Sequence, residues 1–178
     1  MIEAVIDSLH VSLTGQTKIV LLKEIDAERY LPILIGPDAV EAIRMELQKV
    51  AVPRPMTHDL LKNVIQSMDA KISHIVVTEL RNETFFANIV LDIDGQRMEV
   101  DSRPSDALAL AVRTNAKIFI ADQVMDDNAI FPEIGLDLET GADISDEIDA
   151  QLDQPENLEA FEDFIDTLDL DDLDLSSE

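Results

Sequence analysis

The sequence contains no cysteine and no tryptophan among its 178 residues. The absence of cysteine excludes disulfides and thiolate metal sites and favours a reducing compartment. With aromatic residues at only 4% of the chain, we expect no aromatic platform for stacking nucleic-acid bases. The N-terminal stretch lacks a basic region leading into an apolar core, and no apolar segment is long enough to span a bilayer. These absences together predict a cytoplasmic protein.

Lys and Arg are missing from the last third of the chain. All 13 of them lie in residues 1–117 with 17 acids, for a net charge of −4, whereas residues 118–178 carry the other 21 acids and a net charge of −21. A field this negative repels nucleic acid unless a local basic patch or a metal ion offsets it. We therefore predict a domain over residues 1–130 and an acidic tail over residues 131–178.

The predicted tail mixes acids with apolar residues and ends in LDLDDLDLSSE. Segments of this composition are often disordered alone and fold on the surface of a partner protein. The alternative is a solvated acidic helix packed on its own domain. The sequence leaves both alternatives open.

Apolar periodicity and turn residues predict the order of elements in the domain. The predicted strands are residues 2–13, 17–25, 31–36, 71–80, 84–93, 96–101 and 117–121. The predicted helices begin at Pro37, Thr57 and Pro104. Hairpins with helices grouped between them indicate an α+β fold, a mostly antiparallel sheet with three helices packed on it. Turns are expected at Thr14-Gly15-Gln16 and at Asp94-Gly95, the latter a type I′ hairpin signal.

Two details of burial follow from the same patterns. The second helix is expected to bury the residues of its apolar stripe, which are Leu61, Val64, Ile65 and Met68. In the strand 96–101, Val100 is expected to enter the core, which points Asp101 away from it.

A polar cluster, Asp101-Ser102-Arg103-Pro104-Ser105-Asp106, stands where this strand ends and the third helix begins. Helix capping explains Pro104 and the first-turn acid Asp106. It does not explain Arg103, because a cation is unfavourable at a helix N-terminus unless a carboxylate holds it. The alternative is a binding site, in which Arg103 clamps a phosphate or carboxylate and Asp101 and Asp106 hold a divalent cation.

A second polar segment, Arg54-Pro55-Met56-Thr57-His58-Asp59, precedes the second helix. Capping explains Thr57 as the cap residue and Asp59 as a first-turn acid. His58 is either a hydrogen-bonded spacer at the edge of the buried face or a general acid or base for a phosphate ester. Glu41 pairs with Arg44 on an exposed helix face or serves as a further ligand. The chain has no glycine-rich phosphate loop, HExxH motif or GxSxG motif.

Three segments, LPILIGPDAVEAI, PRPMTHDLLKNVI and VDSRPSDALALAVRTNAKIF, resemble the bifunctional nuclease domain family over roughly residues 1–130. The resemblance implies an α+β domain that forms a homodimer or larger homo-oligomer and a nuclease activity on DNA and RNA. The characteristic polar positions of the family fall on Glu41, Arg54, Thr57, His58, Asp59, Asp101, Arg103, Ser105 and Asp106.

With this resemblance, we expect one site shared by both helix starts, which hydrolyses phosphodiester bonds with the help of Mg²⁺ or Mn²⁺. The expected catalytic residues are His58, Asp59, Asp101 and Asp106. Arg54, Arg103 and Ser105 are expected to bind substrate, and Asp101, Asp106 and Glu41 to bind the metal. The alternative is a non-catalytic interaction module whose acidic tail docks on a protein partner or mimics nucleic acid. A cleft that combines arginines with carboxylates favours the enzyme, and dispersed, individually paired arginines favour the module.

Overall fold

Seven strands and four helices make up residues 1–11 and 18–131, the part of the chain that the structure, a computed structural model, describes. The strands are β1 (Ile2–Val11), β2 (Lys18–Glu24), β3 (Tyr30–Leu34), β4 (Lys71–Arg81), β5 (Thr84–Ile93), β6 (Gln96–Ser102) and β7 (Lys117–Ile120). The helices are α1 (Pro37–Leu47), α2 (Thr57–Ser67), α3 (Pro104–Thr114) and α4 (Asp122–Asn128).

The strands form one sheet in the order β3-β2-β1-β7-β4-β5-β6. All neighbours run antiparallel except β4 and β7, which are parallel and place Ile75 opposite Ile118. The α+β class and the mostly antiparallel sheet are confirmed, although one parallel pair makes the sheet mixed. The number of helices is corrected, since the described residues contain a fourth helix. The parallel pair arises because α3 crosses back over the sheet after β6, and such a crossover returns the chain in the same direction. Helix α4 is short and strongly acidic, and only Val124 and Met125 are buried, so its apolar period is too brief to recognise.

Helix α3 forms the centre of the core. Every residue from Ala107 to Ala111 is at most 2% exposed, because α3 packs against β4, β5 and β7 on one side and beside α1 and α2. The apolar run ALALAVR in the sequence of α3 is typical of such a buried helix. On β5, Ala87, Ile89 and Leu91 face this core, as the alternation of apolar residues predicts.

Proline sets the start of two helices. Pro37 is the first residue of α1 after Gly36, and Pro104 is the first residue of α3 after Arg103. Neither preceding residue makes a side-chain capping bond. Thr57 is the first residue of α2 rather than its cap, which corrects the prediction, and the residue before it is Met56.

Helix α2 corrects the predicted burial. None of its residues is buried: Val64 is 45% exposed, while Ile65 packs partly against the core. Met68, directly after the helix, is 66% exposed. The apolar stripe predicts one apolar face of the helix, but it does not say whether another element covers that face. Val100 is likewise 40% exposed rather than buried, because β6 is the last strand of the sheet.

The predicted acidic tail and the predicted Thr14-Gly15-Gln16 turn lie outside the described residues, apart from Phe131. The Asp94-Gly95 hairpin turn has positive φ at both residues, 52° and 80°, as type I′ requires. Among the helices of the described residues, none is long and apolar enough to cross a membrane.

Candidate active site

The first turns of α2 and α3 meet although they are far apart in the sequence. Nε2 of His58, the second residue of α2, lies 3.3 Å from Oδ1 of Asp106, the third residue of α3. Both side chains are largely enclosed, with exposed fractions of 13% and 31%. The fold therefore places a histidine against a carboxylate at the edge of the protein interior, where the pair is shielded but still reachable.

Arg103 holds the same carboxylate from the solvent side. Its Nε donates to Oδ2 of Asp106 at 2.7 Å and its Nη2 donates to Oδ1 at 3.1 Å. Burial by itself raises the pKa of Asp106, but the hydrogen bonds from Arg103 and His58 outweigh it and hold this pKa below its ordinary value. Asp106 is therefore ionised at neutral pH and accepts hydrogen bonds only.

This ionisation defines the state of the His58 ring. Since Asp106 can only accept, Nε2 carries the proton of their hydrogen bond, and in the neutral ring the lone pair is on Nδ1. Nδ1 has no partner in the described part of the chain, and no fully buried side-chain nitrogen or oxygen there lacks one. Nδ1 must therefore reach solvent. An imidazole that is oriented by a carboxylate and has an accessible lone pair is equipped to take a proton from water.

Asp59 belongs to a different network. Its Oδ2 accepts the backbone N–H of Met56 at 2.9 Å, and its Oδ1 accepts Nε of Arg113 at 2.7 Å. Burial raises the pKa of Asp59, and the bonds from Met56 and Arg113 more than reverse that effect, so this pKa also lies below its ordinary value. Both oxygens are occupied by the protein itself, and we give Asp59 no part in the proposed reaction.

Arg113 is the residue that the sequence reasoning missed. Its side chain is only 3% exposed. Besides Asp59, it donates to the carbonyls of Ala109 at 2.7 Å and Ala42 at 3.0 Å, and thereby joins α1, α2 and α3. One signal was available: a charged residue in the apolar run ALALAVR of a buried helix must have a buried partner.

The remaining predicted residues make no hydrogen bond to His58 or Asp106 in the described part of the chain. Glu41 forms a bidentate pair with Arg44 on the exposed face of α1, at 2.7 and 2.9 Å, as the spacing of the two residues predicts. Arg54 and Thr57 are exposed before and at the start of α2, and Asp101 is exposed opposite Asn88 on β5. Ser105, beside Asp106, is only 9% exposed.

The predicted metal ligands come from three elements, since Asp101 is on β6, Asp106 on α3 and Glu41 on α1. Within residues 1–11 and 18–131, no group of three or more His, Asp or Glu side chains is arranged to hold a metal ion. Asp106 is also occupied by Arg103, and Glu41 by Arg44. The three residues do not fit a common site in this arrangement, and the roles proposed below for His58, Asp106 and Arg103 involve no metal.

Comparison with known proteins adds a family to this geometry. The model of the bifunctional nuclease domain matches residues 20–133. An uncharacterized protein of Mycobacterium tuberculosis is 32% identical over 154 residues, which cover 86% of this chain and 87% of that protein. Bifunctional nuclease 1 of Arabidopsis thaliana is 29% identical over 103 residues, 56% of this chain and 32% of its own length. Bifunctional nuclease 2 of the same plant is 28% identical over 103 residues.

An α+β domain with a histidine–carboxylate–arginine cluster at two helix starts thus coincides with a family match over most of the described residues. The chain belongs to the bifunctional nuclease domain family. The two plant relatives that carry the nuclease name are about three times as long as the segment they share with this chain.

Proposed function

We propose that this protein hydrolyses phosphodiester bonds in DNA and RNA, with His58 as the general base or acid and Asp106 as the group that orients it. The contact between His58 and Asp106 is the observation that carries the proposal. A packing spacer has no need of an ionised carboxylate on one ring nitrogen and a solvent-accessible lone pair on the other. The family match supports the choice of a nucleic-acid substrate.

Each residue has a defined part in the proposed reaction. Nδ1 of His58 takes the proton from the attacking water as its oxygen bonds to phosphorus, and Asp106 stabilises the imidazolium that forms. The P–O bond to the leaving sugar oxygen breaks, this oxygen is protonated by solvent, and the imidazolium returns its proton to solvent. Arg103 is 79% exposed at its side chain, so its guanidinium can turn its remaining N–H donors toward the scissile phosphate. No other arginine or lysine contacts Asp106 in the described part of the chain.

The test is cleavage of labelled single-stranded DNA and RNA by highly purified protein. His58→Gln keeps an N–H donor for Asp106 but removes the titratable lone pair, so we expect the rate to fall about 10²–10⁴-fold. The matched control is His74→Gln, since the His74 ring packs against Phe119 in the sheet and touches none of the cluster. Folded His58→Gln protein that cleaves at the wild-type rate disproves the proposal.

That cleavage depends on Mg²⁺ or Mn²⁺ remains a prediction, and the same assay tests it when it is run with and without the metal. Mg²⁺ is commonly held by one or two carboxylates together with substrate phosphates and water. We expect cleavage to stop in EDTA and to return with either metal. The Asp101→Asn and Glu41→Gln proteins then tell which carboxylate changes the metal concentration required. Equal cleavage in EDTA removes the metal from the proposal and leaves the role of His58 standing.

One observation favours the second candidate, a non-catalytic interaction module. The arginines of the described residues are mostly dispersed and individually paired: Arg29 with Glu24, Arg44 with Glu41, Arg81 with Glu79, Arg103 with Asp106 and Arg113 with Asp59. A protein partner for residues 131–178 belongs to this candidate. If those residues repel or mimic nucleic acid, their deletion should raise the affinity for DNA and RNA. If the full chain and the variant without residues 131–178 both bind nucleic acid and neither cleaves it, the protein is the interaction module.

Self-association is a further prediction of the family resemblance. The apolar side chains that α2 leaves exposed support it, since a monomer keeps them in water. Sedimentation equilibrium should give a mass of two or more chains, and a mass of one chain across the concentration range contradicts this prediction.

A further inference from the structure

A cavity of about 270 Å³ lies at the N-terminal turn of α3, and its wall includes Arg103, Ser105, Gly36 from the start of α1, and Glu83 from the turn between β4 and β5. The cavity is larger than a single phosphate group, and Arg103 links it to the His58–Asp106 contact. The proposed reaction uses no residue of the cavity other than Arg103.

Two helix N-termini reach the wall of this cavity. Gly36 and Arg103 directly precede the first residues of α1 and α3, and neither helix has a side-chain cap. The first backbone N–H groups of a helix have no partner within the helix and carry the positive end of its dipole. Because each helix begins with proline, which has no N–H, the first backbone donor of α3 is that of Ser105.

The side chain of Ser105 is the second, independent observation. The residue is only 9% exposed, yet its Oγ has no hydrogen-bond partner among the described residues. No fully buried side-chain oxygen there is left unpaired, so Oγ keeps some accessible surface, and Ser105 is part of the wall of this cavity. A nearly buried hydroxyl without a protein partner is unfavourable unless water or a ligand bonds to it.

We propose that this cavity binds a phosphate group. The Ser105 hydroxyl and backbone N–H and the Arg103 guanidinium supply the donors, and the dipoles of α1 and α3 favour the negative charge. Glu83 opposes binding by repulsion, which makes it a useful probe. If the phosphate belongs to a nucleic-acid strand, the inference rests on the proposed nuclease function. Arg103 contacts Asp106 and also lines the cavity, so a strand with its scissile phosphate at His58 would place another of its phosphates in the cavity.

The first experiment titrates inorganic phosphate into the full chain and follows backbone amide signals by NMR. We expect the signals of Gly36 and Ser105 to shift. A lost hydrogen bond to a charged group should weaken phosphate binding about tenfold in Ser105→Ala. Glu83→Gln should strengthen it, because the change removes a like charge from the wall. Ser67→Ala is the control, since the Ser67 hydroxyl bonds to Val64 at the far end of α2.

The second experiment separates two sources of the phosphate. Short oligonucleotides with a 5′-phosphate or a 5′-hydroxyl are bound to His58→Gln protein, which should cleave them far more slowly than wild type, with and without Ser105→Ala. A preference for the 5′-phosphate that Ser105→Ala abolishes assigns the cavity to a terminal phosphate. Equal binding of the two oligonucleotides that Ser105→Ala weakens assigns it to a phosphate within the strand.

The inference is overturned if phosphate leaves the Gly36 and Ser105 signals unchanged, or if Ser105→Ala binds phosphate as well as wild type. Its failure is distinct from failure of the nuclease proposal, because the phosphate titration has no cleavage readout. Loss of cleavage in His58→Gln with unchanged phosphate binding supports both proposals. Normal phosphate binding in a protein that never cleaves supports the cavity alone.

Discussion

Helices α2 and α3 begin alike and use their first turns differently. Each has an aspartate as its third residue, Asp59 in α2 and Asp106 in α3, and each aspartate pairs with an arginine. Asp59 meets Arg113, which is 3% exposed, whereas Asp106 meets Arg103, which is 79% exposed. The same local pattern therefore produces a buried anchor in one helix and an accessible cluster in the other.

The arginine decides the difference. A buried guanidinium needs several acceptors, and Arg113 takes one from each of three helices, so its pair with Asp59 is committed to architecture. The guanidinium of Arg103 remains hydrated and Asp106 also receives His58, so this cluster can exchange partners with a substrate. The predictions below test this division between anchor and open cluster.

The largest effect is expected for Arg113→Met, which leaves Asp59 and the carbonyls of Ala42 and Ala109 without their donor. Breaking a buried pair in this way should lower the free energy of unfolding by about 3–5 kcal/mol. Urea unfolding followed by circular dichroism measures it. Arg103→Met is the matched variant and should change stability little, because an exposed pair contributes little. Equal losses in the two variants would erase the proposed distinction.

A smaller effect is expected when the acids are changed instead. Asp59→Asn keeps an acceptor for the Met56 N–H but loses the charge that holds Arg113, so we expect a loss of about 1.5–3 kcal/mol. Asp106→Asn should lose less stability and more cleavage, since it removes the charge that orients His58. Unfolding and cleavage measured on both proteins provide the comparison. If Asp59→Asn lowers the cleavage rate more than Asp106→Asn does, Asp59 rather than Asp106 belongs to the active site, which contradicts our proposal.

The effect of Asp59 should also depend on pH. Its pKa is lowered in the folded protein, so its stabilisation is complete above the unfolded-state pKa of about 3.9 and is lost as the pH falls through the lower folded-state value. The stability difference between wild type and Asp59→Asn should therefore be constant near neutral pH and shrink below about pH 4. Urea unfolding at a series of pH values tests this sign, and a difference that grows on acidification refutes it.

The smallest effect is expected for Glu41→Gln. The pKa of Glu41 is lowered by its hydrogen bond to Arg44, but the pair is exposed on α1 and apart from the cluster. We expect nearly unchanged stability, and unchanged cleavage at saturating Mg²⁺ or Mn²⁺. If this substitution raises the metal concentration needed for cleavage while Arg44→Gln does not, Glu41 is a metal ligand after all.

Local chemistry predicted much of this fold. Alternation of apolar residues located β5, and prolines located the starts of α1 and α3, because both signals act within a few neighbouring residues. The prediction that α2 buries its apolar stripe was wrong, because burial of the stripe depends on which other element packs against it. The parallel pairing of β4 with β7 was missed for the same reason, because the partner strand is supplied by distant sequence.

The sequence by itself determined the seven strands, the three longer helices, the family, and the presence of His58, Asp59, Arg103 and Asp106 at two helix starts. Only the tertiary structure decided which of these groups touch. It paired Asp106 with a histidine 48 residues away and Asp59 with an arginine 54 residues away. Capping and periodicity are short-range effects, whereas the partner of a charged side chain is set by the packing of whole helices. This packing makes the Asp59–Arg113 pair a structural anchor and the Asp106 cluster the candidate active site.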